Sequence, residues 1–212
     1  ALVDGQKGLG HPASVMAMEM AIARAATYGI GIVAVRNSNH FGACANYSMM
    51  ALERGMIGLA FTNSPSVAMV PTFARKPMIG TNPISLAAPA AAHTPFVLDM
   101  ATTTVAVGKL TIASRWNTPI PEGWALAENG SPTTDARVAL ASRLLSPLGG
   151  RRELGGHKGY GLGVMVDILS GLLSGSVYGN VLYRSRMQED KHFNTGHCFA
   201  AIDIKRFRPV EE

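Results

Sequence analysis

Cysteine is nearly absent from this chain: only Cys44 and Cys198 occur in 212 residues. Two thiols cannot build the disulfide framework of a small secreted domain, so a reducing cytoplasm is the expected setting. Long apolar runs are missing as well. The most apolar stretch, "GYGLGVMVDILSGLLSG", is interrupted by Asp167 and several glycines. It falls short of the roughly 20 uninterrupted apolar residues of a membrane span, so no transmembrane helix is expected. The opening "ALVDGQKGLG" lacks the basic, then apolar, then small-residue order of a secretory signal. Charge is sparse, at 16%, and unbalanced, with 19 Lys and Arg against 14 Asp and Glu. Apart from "RR" at 151–152 and "KRFR" at 205–208 the cations are scattered. Nucleic-acid binding needs a stripe or a recognised module, and none is expected here. His11, His93, His192 and His197 stand apart from carboxylates and cysteines at ligand spacing, so no metal site is indicated.

What is present is a chain with 47% hydrophobic residues, enough to bury a substantial core in one large domain or two small ones. Helix and strand signals alternate. "PASVMAMEMAIARAATYG" opens at Pro12 and Ser14, repeats apolar residues at 15, 18, 22 and 25, and stops at Gly29. The strand "IGIVAV" follows, then a helix over 43–54 closed by Gly55, then the strand "MIGLAF". "ISLAAP" and "PFVLDM" read as further strands, 104–115 is ambiguous, and "KGYGLGVMVDILSGLLSG" has the length of a buried helix. Between them, 116–157 is rich in Pro, Gly, Asn and Thr and reads as surface loops. No repeat or low-complexity tract occurs. The class is α/β.

"GLGHPA" (8–13) matches the dinucleotide fingerprint G-x-G-x-x-A, and Arg36 stands where a 2′-phosphate could be held. Against that reading, only "ALV" is available for a first strand, and Pro12 falls where a donor amide should face the pyrophosphate.

Five polar clusters remain to be explained. In "VRNSNHFG" (35–42), His40 follows a buried strand, a rigid platform from which an imidazole can work as acid or base. Asn37, Ser38 and Asn39 can orient the ring, or Ser38 or Asn39 can simply cap a helix beginning near Gly42 and Ala43. "FTNSPS" (61–66) repeats the pattern after a second strand, suggesting a shared polar rim of the kind that binds ligands in α/β sheets, although ordinary turns look alike. "GTNPIS" (80–85) presents Thr81 and backbone amides to a carboxylate, or reverses the chain. In "LDMATTT" (98–104), Asp99 caps a helix starting at Met100, holds a ribose hydroxyl, or both. "GGHKGYGLG" (155–163) lets the backbone approach a ligand while Lys158 offers charge to phosphate or carboxylate, although it is not a Walker A loop.

The ordered set "DGQKGLGH", "VAVRNSNHFG", "FTNS", "PTFARKPMIGTNPISLAAP", "FVLDMATT", "PIPEGWAL", "GSPTTD" and "LGGHKGYGLGVMVDILSGLLSG" resembles the malate/L-lactate dehydrogenase family of type-2 2-hydroxyacid oxidoreductases. That family also contains sulfolactate and ureidoglycolate dehydrogenases and cyclic imino-acid reductases. The resemblance implies a non-Rossmann, L-sulfolactate dehydrogenase-like fold with a mixed sheet flanked by helices, built as one catalytic unit over 1–212 whose cofactor-binding part lies at roughly 40–160. It implies NAD or NADP as cofactor, a small 2-oxo or 2-hydroxy acid as substrate, and a homodimer. Carried onto this sequence, His40 is expected to exchange the proton and face the cofactor. Ser64, Asp99, Met100, Ala101 and Lys158 are expected at the cofactor, and Thr81 at the substrate. An imidazole suits the task because it titrates near neutrality and so serves both reaction directions. Arg36, Arg75 and Lys76 do not decide between the two cofactors. The sequence departs from the family pattern in starting at the "DG" motif, in ending soon after "AIDIKRF", and in carrying Ala127 where an aspartate is common. The expectation is therefore twofold: a working dehydrogenase completed by further segments, or a shortened remnant that only binds dinucleotide or dimerises.

Overall fold

The computed structural model describes residues 1–64, 66–181 and 194–209. Its centre is a six-stranded sheet, formed by β1 (Leu2–Asp4), β2 (Ile30–Ser38), β3 (Met56–Thr62), β4 (Ile84–Ala88), β5 (Phe96–Met100) and β9 (Thr195–Asp203), in the order β1-β2-β9-β3-β4-β5. Only β1 and β2 pair in parallel; each other neighbouring pair is antiparallel. The sheet is mixed, as expected. A smaller sheet, in the order β7-β6-β8, joins β6 (Ala125–Leu126), β7 (Pro132–Thr133) and β8 (Leu144–Leu145).

Strand alternation divides the core. Val33, Val35, Ala60, Phe199 and Ala201 face one side and pack with Ala17, Met18, Ala21 and Ala25 of α1 (Gly10–Tyr28) and with Tyr47 of α2 (Ala45–Ser48). Phe61 and Cys198, one residue out of step, face the other side and meet Val166 of α5 (Gly156–Asp167). This period-two partition sandwiches the sheet between helices. As predicted, α1 ends at Gly29, which takes a φ of 89° and donates its N–H to the carbonyl of Ala25 at 2.7 Å.

Four local expectations change. The strand β2 does not stop at Val35 but runs on to Ser38, with a register shift between the two and Asn37 at a φ of 51°. The ambiguous region contains α3 (Val107–Trp116). The supposed surface loops over 116–157 hold α4 (Ala136–Ser142), capped by the Asp135 carboxylate, and the small sheet. These elements close over their own core of Leu110, Ile120, Ala125, Ala139 and Leu145. Lastly, α5 passes into a π-helical turn at Ile168–Leu172 and is not buried all round. Leu162, Met165, Ile168, Leu172 and Leu173 are exposed along it.

Candidate active site

The register of the sheet gathers the polar clusters at one end. Ser38 lies opposite Thr195, Thr62 opposite His197, Phe61 opposite Ile84, and Ile84 opposite Met100. The exits of β2, β3 and β5 and the entries to β4 and β9 therefore share one rim. There His40, Phe41, Gly42, Thr62, Asn63, Ser64, Thr81, Pro83 and Thr195 line a recess of about 60 Å³. A much larger cavity, of about 650 Å³, includes Glu53, Met56 and Asp203 in its lining at the opposite end of the β3–β9 pair and contains none of the predicted residues. Convergent polar groups, rather than size, mark the rim as the candidate site.

His40 is exposed, and its Nδ1 accepts a hydrogen bond from the Gly42 N–H at 3.1 Å. A neutral ring in that position carries its proton on Nε2. The loop bearing His40 is buttressed by the "GLG" stretch: a Cβ on Gly10 would come within 2.4 Å of the Asn39 carbonyl oxygen. Close packing, not pyrophosphate binding, thus accounts for glycine at that place in the apparent fingerprint. Arg36 is held by the Asp4 carboxylate at 3.2 Å.

The capping roles proposed for Ser38, Asn39 and Asp99 are corrected. Asn39 Nδ2 donates to the carbonyls of Lys7 and Gly8, at 3.0 and 2.9 Å, tying down the N-terminal loop. Helix α2 starts at Ala45, whose N–H donates to Asp99 Oδ2 at 2.8 Å. Asp99 therefore caps a helix from a distant strand instead of one beginning at Met100. Its negative charge lies at the positive end of α2.

Ser64 and Thr81 reach the recess from adjoining loops joined by Asn82. The Asn82 Oδ1 accepts from the Ser64 N–H at 3.1 Å, and its Nδ2 donates to the Gly163 carbonyl of α5 at 2.9 Å. Beside Thr81, the Thr102 N–H donates to the Thr81 carbonyl at 2.9 Å, which brings the Asp99–Ala101 segment alongside. The Thr102 carbonyl in turn accepts from the Leu148 N–H at 2.9 Å. The first turn of α5 lies directly on that loop, since a Cβ on Gly159 would fall 2.2 Å from the Leu148 oxygen. Lys158 is exposed on this turn. It does not line the recess, and neither do Asp99, Met100 and Ala101. The predicted residues thus fall into two groups: His40, Ser64 and Thr81 at the recess, and Asp99, Met100, Ala101 and Lys158 outside it.

Sequence reasoning passed over His197. The ring is fully buried, with Nδ1 2.7 Å from Thr62 Oγ1 and Nε2 2.8 Å from Ser38 Oγ. It stacks on Phe41 at 4.5 Å between ring centroids and 9° between planes. Burial pushes its pKa down to about 3, so the ring is neutral at any ordinary pH. The missed signal was positional: a histidine inside "TGHCFAAID" alternates with Phe199 and Ala201 on the core side of a strand. Asp167 was also missed. Burial raises its pKa, against the lowering effect of hydrogen bonds from the Gly179 N–H and from Asn63 and Asn82. His192 lies outside the described residues.

Known proteins share this sequence pattern and fold. The sequence profile of the malate/L-lactate dehydrogenase family matches residues 1–212. A malate dehydrogenase of Pyrococcus abyssi is 49% identical over all of this chain and 58% of its own length. The crystal structure of malate dehydrogenase from Entamoeba histolytica superposes with a TM-score of 0.93 at 35% identity, covering 99% of this chain and 59% of that one. Sulfolactate dehydrogenase from Methanocaldococcus jannaschii superposes with a TM-score of 0.86 at 37% identity, covering 100% and 58%. The chain spans a little under three-fifths of the length of these relatives, and within that span it has the sulfolactate dehydrogenase-like fold expected of it. The chain belongs to the malate/L-lactate dehydrogenase family.

Proposed function

We propose that this chain contributes the nicotinamide-binding rim of an oxidoreductase that moves a hydride between NAD or NADP and a small 2-hydroxy or 2-oxo carboxylic acid of the malate or lactate type. The observation that carries the reading is the convergence of His40, Ser64 and Thr81 on one recess, with Asp99–Ala101 and the start of α5 beside it. The donor set fits a dinucleotide. Pro83 offers apolar surface to a flat ring, while Ser64 and Thr81 offer hydroxyls to its amide and to the acid. Farther along, Lys158, exposed on the first turn of the 12-residue α5, offers its ammonium to phosphate. Ser64, Asp99, Met100, Ala101 and Lys158 would hold the cofactor, with His40 against it and Thr81 on the substrate. The cofactor-binding part accordingly occupies roughly 40–160 of a single unit.

Bound there, a reduced nicotinamide supplies the hydride for the oxo carbon. His40 then has two tasks at the oxygen. As a neutral ring, its Nε2–H donates a hydrogen bond to the carbonyl oxygen and stabilises the developing alkoxide. Delivery of the proton requires a doubly protonated ring, and Nδ1–H must then part from the Gly42 N–H. The exposed position of His40 leaves the ring free to do so. Oxidation of the hydroxy acid runs through the same atoms in reverse.

Substitution separates these roles. His40→Gln keeps a donor near the Nε2 position but cannot transfer a proton. Its turnover should fall by about 10²–10⁴ with cofactor affinity largely retained. Oxaloacetate, pyruvate and a cyclic imine, each assayed with NADH and NADPH, provide the substrate panel. Turnover by His40→Gln equal to the parent's would refute the proton role.

A second copy of this chain is the partner we infer for the stripe formed by Leu162, Met165, Ile168, Leu172 and Leu173, five exposed apolar side chains on one helical run. Sedimentation equilibrium should give a dimer, and Met165→Glu a monomer; a monomeric parent would contradict the inference. The buried, unpaired thiols of Cys44 and Cys198 fit the reducing cytoplasm in which we place the protein.

A further inference from the structure

We propose that His197 is a positioning residue for His40: a buried imidazole that bridges the two strand exits forming the active-site rim and holds the His40 loop in register with the Ser64 loop. The kinetic arm of this inference rests on the dehydrogenase reading above; its spectroscopic arm does not.

The need for a bridge comes from the sheet. Strand β9 lies between β2 and β3, and its ladder with β3 runs without interruption from Met56–Asp203 to Thr62–His197. Its ladder with β2 is broken between Val35 and Ser38, two residues before His40. There Asn37 takes a φ of 51°, and its N–H turns to the Asn194 side chain at 3.0 Å instead of to the neighbouring strand. A bulge at this point re-aims the chain but removes the backbone bonds that would fix it. The His197 ring spans the gap, with Ser38 Oγ at 2.8 Å on one side and Thr62 Oγ1 at 2.7 Å on the other. Its flat contact with Phe41, the residue after His40, adds a second hold on the same loop.

The hydrogen bonds also assign the tautomer. Thr62 Oγ1 has two carbonyl acceptors, those of Asn63 at 2.9 Å and Gly196 at 3.1 Å. With its single proton directed to a carbonyl, the hydroxyl must accept from the ring, so Nδ1 carries the hydrogen. Nε2 then accepts from the Ser38 hydroxyl at 2.8 Å; the competing acceptor, the Asn39 carbonyl, lies 3.5 Å from that hydroxyl and also faces the ring. The order Ser38 to His197 to Thr62 to carbonyl uses every proton once. It differs from His40, where the Gly42 N–H places the ring proton on Nε2. The two histidines of the site are therefore held as opposite tautomers.

Nitrogen-resolved NMR of the imidazoles in the 212-residue chain tests this directly. His197 is expected as a single Nδ1–H tautomer that does not change between neutral and mildly acidic pH. Finding Nε2–H, or exchange between the two, would overturn the assignment. His197→Phe keeps the volume and the stacking on Phe41 but removes both bonds, whereas His197→Gln can still accept from Ser38. In His197→Phe the His40 ring signals should broaden into a mixture of tautomers, and kcat should fall at least about tenfold with KM for the oxo acid little changed. His197→Gln should recover part of both. If the Phe variant keeps the parent's kcat and a single His40 tautomer, the ring is only core packing and the proposal fails. If NADH and NADPH shift no rim signal in the parent, the dehydrogenase reading fails, and the His40 signals alone decide the role of His197. Should the Phe variant not fold, the parent's tautomer and the Gln variant carry the test.

Discussion

Acid should destabilise this fold through His197, and the size of the effect can be worked out. In the unfolded chain the imidazole takes up a proton near its ordinary value of 6.5; in the folded protein burial holds that off until about 3. Between those limits the unfolded state binds more protons than the native state, so stability falls as the pH falls. Each pH unit is worth about 1.4 kcal/mol, so the full window of about 3.5 units costs about 5 kcal/mol. That is a large share of the roughly 5–15 kcal/mol that stabilises a typical domain. Asp167 acts with the opposite sign: burial raises its carboxyl, and stability is gained as pH falls through its folded value toward its unfolded value. Asp167 is common to the parent and to His197→Phe, so its contribution cancels between them, and from pH about 6.5 to about 5 the loss due to His197 should be about 2 kcal/mol. Urea unfolding at stepped pH in the parent and in His197→Phe measures it. The parent's unfolding free energy should decline over this range, and the variant's should be flatter by that amount. Equal slopes in the two proteins would refute the assignment of a buried neutral ring.

Two further perturbations follow from the same contacts. Asp99→Ala removes the carboxylate that accepts from the Ala45 N–H; loss of such a cap costs about 0.5–2 kcal/mol, read as a lowered denaturation midpoint, with Asp99→Asn recovering much of it. Gly159→Ala places a methyl 2.2 Å from the Leu148 oxygen, so α5 must shift off the 148–150 loop. The cost is about 1–3 kcal/mol of stability with weakened NADH binding, and an unchanged melting curve would contradict the contact.

The layered α/β plan was legible in the sequence because it rests on periodicity. The short apolar run "MIGLAF" and the glycine-terminated repeat of α1 settle those elements locally. The 116–157 region was misread because turn residues dominate its composition, while the core that its Ile120, Ala125 and Ala139 join also draws on Ala68 and Leu110 from outside the region. At the site, the polar strand exits were readable as a rim, but their partners were not. Asp99 is adjacent to "MATTT" in sequence, yet it caps a helix that starts 54 residues earlier. Ser38 and His197 are 159 residues apart, and only the insertion of β9 between β2 and β3 brings them together. Local rules assign a cap or a turn to each such residue, whereas the sheet order assigns the partner.

The central claim is that cofactor and substrate meet at the His40 end of the sheet. Titrating NADH and NADPH into the isotopically labelled chain while following backbone amide shifts tests it most directly. The account predicts saturable shifts at Gly42, Ser64, Thr81, Ala101 and Lys158. Glu53, Met56 and Asp203, beside the larger cavity, should stay still. Shifts confined to that opposite end, or none at either, would contradict it.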